Sequence, residues 1–190
     1  MRFFIFLLSL LCLSSAFAGE TESPLLTRLY FYNPEMRYER DADQNYVNRN
    51  PQGFALGFKK EDWALVLETS SFSESSGNST LSISRQHQEG TLWLRRHFCD
   101  RSFEAMSGSL FISAGIGGYQ DKVTTTLNGD SENDSGTLSL MGGVSFGIEL
   151  LAVAEKDYGV VFSFETRALT GSDFDPNPMF SGLFQFGLQF

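Results

Sequence analysis

Cysteine, histidine and basic side chains are all scarce in this 190-residue chain. The two cysteines are Cys12, inside an N-terminal apolar run, and Cys99. Removal of that run on export leaves one thiol, which excludes an intramolecular disulfide and any cysteine-based metal centre. The two histidines, His87 and His97, offer little material for imidazole ligation or catalysis. Fourteen Lys and Arg stand against 23 Asp and Glu, for a net charge of −9. Without clustered cations there is no footprint for nucleic-acid phosphates. No apolar run after Leu13 suits a membrane-spanning helix. The best window, Leu138 to Ala154, is broken by Gly142, Gly143, Gly147 and Glu149. Five prolines form no linker, and neither a charge block nor an internal repeat marks a domain boundary.

Residues 1–18 have the layout of a secretory signal peptide. Arg2 supplies the positive start, Phe3 to Leu13 the apolar centre, and Ala16-Phe17-Ala18 the small residues of a cleavage site. The apolar run is too short for a comfortable bilayer span. Leu11 is bulky where a lipoprotein signal at Cys12 wants a small residue. The expected mature domain is 19–190.

The mature chain is rich in period-two alternation, the mark of strands with one apolar face. Phe54, Leu56 and Phe58 oppose Gly53, Ala55, Gly57 and Lys59. Val160, Phe162 and Phe164 oppose Ser163, Glu165 and Arg167. Turn residues delimit eight such stretches: Leu25–Tyr32, Gly53–Lys59, Trp63–Phe72, Thr80–Phe98, Gly108–Thr126, Gly136–Ala152, Tyr158–Leu169 and Met179–Phe190. In the fourth, Leu81 and Ile83 are odd while Leu92 and Leu94 are even. That change of phase predicts a bulge near Glu89-Gly90.

Connections alternate in length. Residues 60–62, 99–107 and 155–157 are tight or moderate, whereas 33–52, 73–79, 127–135 and 170–178 are long. An even number of strands with short turns at one end and long loops at the other describes an all-β, antiparallel up-and-down transmembrane barrel. Trp63, Trp93, Phe98, Tyr158 and Phe190 fall near the short-turn ends, where an aromatic girdle is expected at the membrane interface.

The final stretch carries a resemblance. Phe180, Gly182, Phe184, Phe186, Leu188 and Phe190 share one face; Ser181, Leu183, Gln185, Gly187 and Gln189 share the other. Gly182, Phe184, Phe186, Leu188 and Phe190 together resemble the C-terminal assembly signal of bacterial outer-membrane β-barrels. The architecture resembles the small eight-stranded barrels of the outer-membrane protein A and X type. This resemblance implies location in the bacterial outer membrane, long loops facing outward, and contact with outer-membrane lipids and lipopolysaccharide. It also implies recognition by the barrel-assembly machinery, and a structural or surface-interaction role with a possible extracellular partner. No cofactor and no metal are implied.

Alternation sends Arg28, Lys59, Glu68, Arg95, His97, Glu149, Glu165 and Arg167 to the lumen of such a barrel. Eight strands leave an interior that side chains just fill, and buried charges must pair. A charge-filled lumen is therefore expected, with a narrow channel for ions or small solutes as the alternative. A lipid A-modifying enzyme is less well supported. His97 falls at the inner end, Ser84 points away from His87, and no nucleophile–base pair emerges. A soluble ligand-binding barrel would want an apolar interior. The acidic run 128–136 carries Asp130, Glu132 and Asp134, but Ser135 and Met141 occupy the glycine and bidentate-Glu positions of an EF-hand. It is expected to be a solvated loop tip.

Overall fold

The computed structural model describes residues 24–40, 46–78, 80–103, 106–155, 158–172 and 174–190. The expected signal peptide lies outside them. The described residues form eleven strands: β1 (Leu26–Tyr32), β2 (Glu35–Arg40), β3 (Tyr46–Arg49), β4 (Gln52–Lys60), β5 (Trp63–Gly77), β6 (Leu81–Phe103), β7 (Met106–Leu127), β8 (Asp130–Ser135), β9 (Ser139–Glu155), β10 (Tyr158–Gly171) and β11 (Met179–Gln189). Eight of them form a closed antiparallel ring in the order β1-β4-β5-β6-β7-β9-β10-β11, with β1 returning to β11. Closure leaves the ring no free edge, the condition for carrying a sheet through hydrocarbon. At the seam Arg28 pairs with Gln189 and Tyr30 with Gly187. Thr27 and Phe190 exchange both backbone hydrogen bonds, at 2.7 and 2.9 Å. Gly187 is required there: a Cβ would stand 2.2 Å from the carbonyl oxygen of Leu29.

Several expected loops prove to be ordered strand. The 33–52 link contains β2 and β3. The register of β1 on β11 slips by one residue between Tyr30 and Tyr32, after which β2 continues along β11, with Arg37 opposite Ser181. A one-residue slip exchanges the two faces. The inward residues are therefore even in β1 (Arg28, Tyr30) and odd beyond it (Asn33, Glu35, Arg37). The acidic run is likewise not a loose tip: β8 folds back on β7, with Thr126 opposite Ser131. Asn128 and Gly129, at φ 51° and 94°, supply the two positive φ values that a tight two-residue hairpin turn demands.

The bulge expected at Glu89-Gly90 is absent. Register runs unbroken there on both sides, from Glu89 to Ser70 and to Tyr119. Leu81 and Ile83 share the pleat face of the lumen residues His87 and Glu89, but lie beyond the ring's mouth, where that face is open and both are exposed. The irregularity in β6 instead falls between Phe98 and Arg101, around Cys99, whose φ is 56°.

Candidate functional site: a charged lumen beneath an aromatic mouth

Burial alternates along β10 and β11, and in β11 it does so without a break from Met179 to Gln189. The outward faces carry an apolar belt that includes Phe54, Leu92, Ile112, Val144, Phe164 and Phe184. The inward faces carry charge.

At the short-turn end, Glu149 accepts a hydrogen bond from Arg28 Nη1 at 2.6 Å, with Lys59 Nζ 3.9 Å away and His97 Nδ1 3.7 Å away. Arg28 Nε donates to Gln189 at 3.0 Å. At mid-height Arg167 donates to both oxygens of Glu68, at 2.8 and 2.7 Å, and also binds Glu165. Arg95 joins Glu165 at 3.0 Å to Gln185 at 2.7 Å. All eight residues assigned to the lumen from alternation thus meet in two linked clusters. They pair because a carboxylate out of water without a cation costs several kcal/mol.

Above them stands a third cluster that alternation did not reveal. Arg37 is fully buried and held between Glu35, at 2.7 Å, and Glu89, at 2.8 Å through Nη1. Ser70 donates to Glu89 at 2.7 Å. Three of the four expected girdle residues short of Phe190, namely Trp63, Phe98 and Tyr158, face outward at the short-turn end, as does Phe190 itself. Trp93 does not. It is 1% exposed inside the lumen, with the Arg167 guanidinium 4.6 Å from its ring centre. The space for its indole exists because β7 and β9 present Gly115 and Gly143 opposite it; a Cβ on Gly115 would stand 2.5 Å from the ring. Its neighbours Leu92 and Leu94 take the outward positions, which was the signal available in the sequence.

The mouth is crossed by aromatic rings. Phe72, His87, Tyr119 and Phe174 stack in succession at centroid spacings of 4.8, 5.6 and 5.0 Å. The imidazole is also bound at both nitrogens, Nδ1 to Asp121 at 2.9 Å and Nε2 to Glu89 at 3.2 Å. Asp121 in turn takes two hydrogen bonds from Arg85, at 2.9 and 3.2 Å. Outward neighbours here are Gln86, Gln88 and Gln120, so this tier stands beyond the apolar belt. Burial pulls the His87 pKa down, but the bonds to Asp121 and Glu89 outweigh it and leave the pKa raised. Burial also works against ionised Asp121, yet His87 and Arg85 hold its carboxyl well below the ordinary range.

No protein-family model matches the sequence, and no curated protein is similar to it. Solved structures do resemble the fold. Neisserial surface protein A is 10% identical, covers 90% of this chain and 98% of its own, and superposes with a TM-score of 0.55. The attachment invasion locus protein Ail of Yersinia pestis is 16% identical over 87% of this chain and 99% of its own, at a TM-score of 0.46. The N-terminal β-barrel domain of Pseudomonas aeruginosa OprF is 10% identical over 90% and 100%, at 0.48. The ring of eight strands, apolar outside and charged inside, has the one solvent for which such an inversion is stable, a lipid bilayer. The chain has the fold of a small eight-stranded outer-membrane β-barrel.

Proposed function

We propose that the protein serves the outer membrane as a structural and surface-interaction barrel, with its lumen closed to solutes. The observation that carries this reading is charge balance inside the ring. Arg28, Arg37, Lys59, Arg95 and Arg167 face Glu35, Glu68, Glu89, Glu149 and Glu165, and each carboxylate lies within 3.9 Å of one of these cations. A side chain held by two partners across the barrel gives a permeating ion no vacant site. Contacts with partners fall to the segments beyond the belt, chiefly β8 and the mouthward ends of β5, β6 and β7. Lipids of the membrane, lipopolysaccharide included, contact the belt.

The histidine geometry supports a non-catalytic role. His97 Nδ1 is 3.0 Å from Ser109 Oγ, but the carboxylate paired with it among the described residues, Glu149, approaches the same nitrogen. A relay needs the serine and the carboxylate on opposite nitrogens. His87 has both nitrogens on carboxylates, leaving none to take a proton from a nucleophile.

A narrow channel is favoured by one feature, a polar cavity of about 170 Å³ beside Lys59 and Glu149 at the short-turn end. Planar-bilayer recording separates the two. The refolded protein should be silent or nearly so, and a steady wild-type conductance would overturn closure in favour of the channel.

The outward face of β11 is the surface we assign to the assembly machinery. Phe190→Ala should reach the outer membrane less well than Phe180→Ala, an equally outward ring at the other end of the strand. Equal delivery of the two would reject that assignment.

A further inference from the structure

On the belt, one cation stands out. Arg96 lies on the outward face of β6, exposed, with its guanidinium carbon 5.5 Å from the ring centre of Trp63, its cross-strand neighbour. Both belong to the short-turn end, at the level of the interfacial aromatics. Among the described residues Arg96 has no ion pair. A guanidinium without a carboxylate at this depth meets the phosphates of the leaflet beside it.

The wall above Arg96 is hollowed. A groove of about 500 Å³ runs from Trp63 and Arg96 past Leu94 to Val144, over the small side chain of Ala114. A second of about 480 Å³ continues toward the mouth between Leu92 and Ile116. From Arg96 to Gly90 the strand runs six residues, ~20 Å at about 3.3 Å per residue. Tilted as barrel strands are, that spans ~15 Å of depth, about one leaflet of hydrocarbon.

Resting on the membrane reading above, we propose that this wall is a binding site for one anionic glycerophospholipid of the leaflet facing the short turns. Arg96 takes the phosphate, Trp63 flanks the headgroup, and an acyl chain lies in the groove over Ala114. The alternative occupant, a second copy of the chain, would have to bring an acidic group to Arg96. Among the described residues, the apolar outward wall of the ring offers none within the belt.

The two tryptophans make the test direct, since Trp63 is 48% exposed on the wall and Trp93 is buried in the lumen. Refolded full-length protein is placed in phosphatidylcholine vesicles containing a minor fraction of phosphatidylglycerol. Brominated acyl chains are carried in turn by each lipid at matched mole fraction. Trp63 should be quenched preferentially by brominated phosphatidylglycerol, reflecting about fivefold enrichment beside Arg96. Arg96→Gln should abolish the preference, and Ala114→Phe, which fills the groove on a lipid-facing position, should reduce it. Trp63→Phe should remove the quenching altogether. Equal quenching of wild type by the two brominated lipids overturns the site while leaving the membrane reading intact, as does a preference that survives Arg96→Gln. Absence of quenching by either lipid overturns both.

Discussion

Arg167 on β10 holds both oxygens of Glu68 on β5, at 2.8 and 2.7 Å, across the barrel and 99 residues along the chain. Its other partner is Glu165, two residues away on the same strand. Removing the guanidinium strands Glu68, which is 1% exposed, and leaves Glu165 with Arg95 as its remaining cation. Arg167→Ala should therefore destabilise the folded barrel by about 3–5 kcal/mol. Urea unfolding in lipid vesicles measures this. Adding Glu68→Gln to the variant should recover part of the loss, and a double variant no more stable than Arg167→Ala would show that the pair is not the source.

Gly115 and Gly142 lie one position apart across β7 and β9, yet their substitution should differ sharply. A Cβ on Gly115 collides with the Trp93 indole, whereas one on outward Gly142 meets only a carbonyl oxygen at 3.5 Å. Gly115→Ala should cost about 1–3 kcal/mol as an overpacking change, and Gly142→Ala should be close to neutral. The same unfolding measurement, with the Trp93 emission maximum as reporter, compares them.

The mouth should loosen as pH rises. The raised pKa of His87 means that its protonated form is favoured by folding. Its contribution is complete below the unfolded value of 6.5 and is lost as pH climbs through the folded value. Asp121 acts in the opposite sense, contributing above its unfolded value of 3.8 and losing that contribution only in strong acid. Thermal stability in detergent should therefore fall as pH rises above 6.5. His87→Phe, which keeps a ring between Phe72 and Tyr119, should flatten that slope. An unchanged slope in the variant would exclude His87 as its origin.

Topology can be read from thiols. Cys99 is free, exposed and at the short-turn end of β6, while Ser131 is exposed on β8 beyond the mouth. A membrane-impermeant maleimide added to intact cells should modify Ser131→Cys and spare Cys99. Cys99 should react once the outer membrane is permeabilised. The reverse pattern would invert the orientation.

Much of this structure is legible in the residues because a barrel strand has only two faces. In β10 and β11 the alternation of Phe with Ser, Glu, Arg and Gln needs no tertiary knowledge to sort. The same parity sends Arg28, Glu68, Glu149 and Arg167 inward, and mutual neutralisation then requires that they pair. What parity cannot carry is a shift in parity. The slip near Phe31 turns Glu35 and Arg37 inward from a segment that otherwise reads as a loop, and so hides the upper cluster.

The sequence by itself determined which bonds must form in kind: a closed ring, an apolar exterior, and an interior whose charges balance. Those follow from local periodicity and from the cost of unpaired polar groups, neither of which depends on distant residues. The tertiary structure decided which partner each charge found and where Trp93 could go. Whether an indole fits inside depends on two glycines on strands that reach it only after closure, and whether Arg37 meets Glu89 depends on a one-residue slip at the seam. Such choices are settled by packing between residues far apart in the chain, where volume and register are defined only once the ring exists.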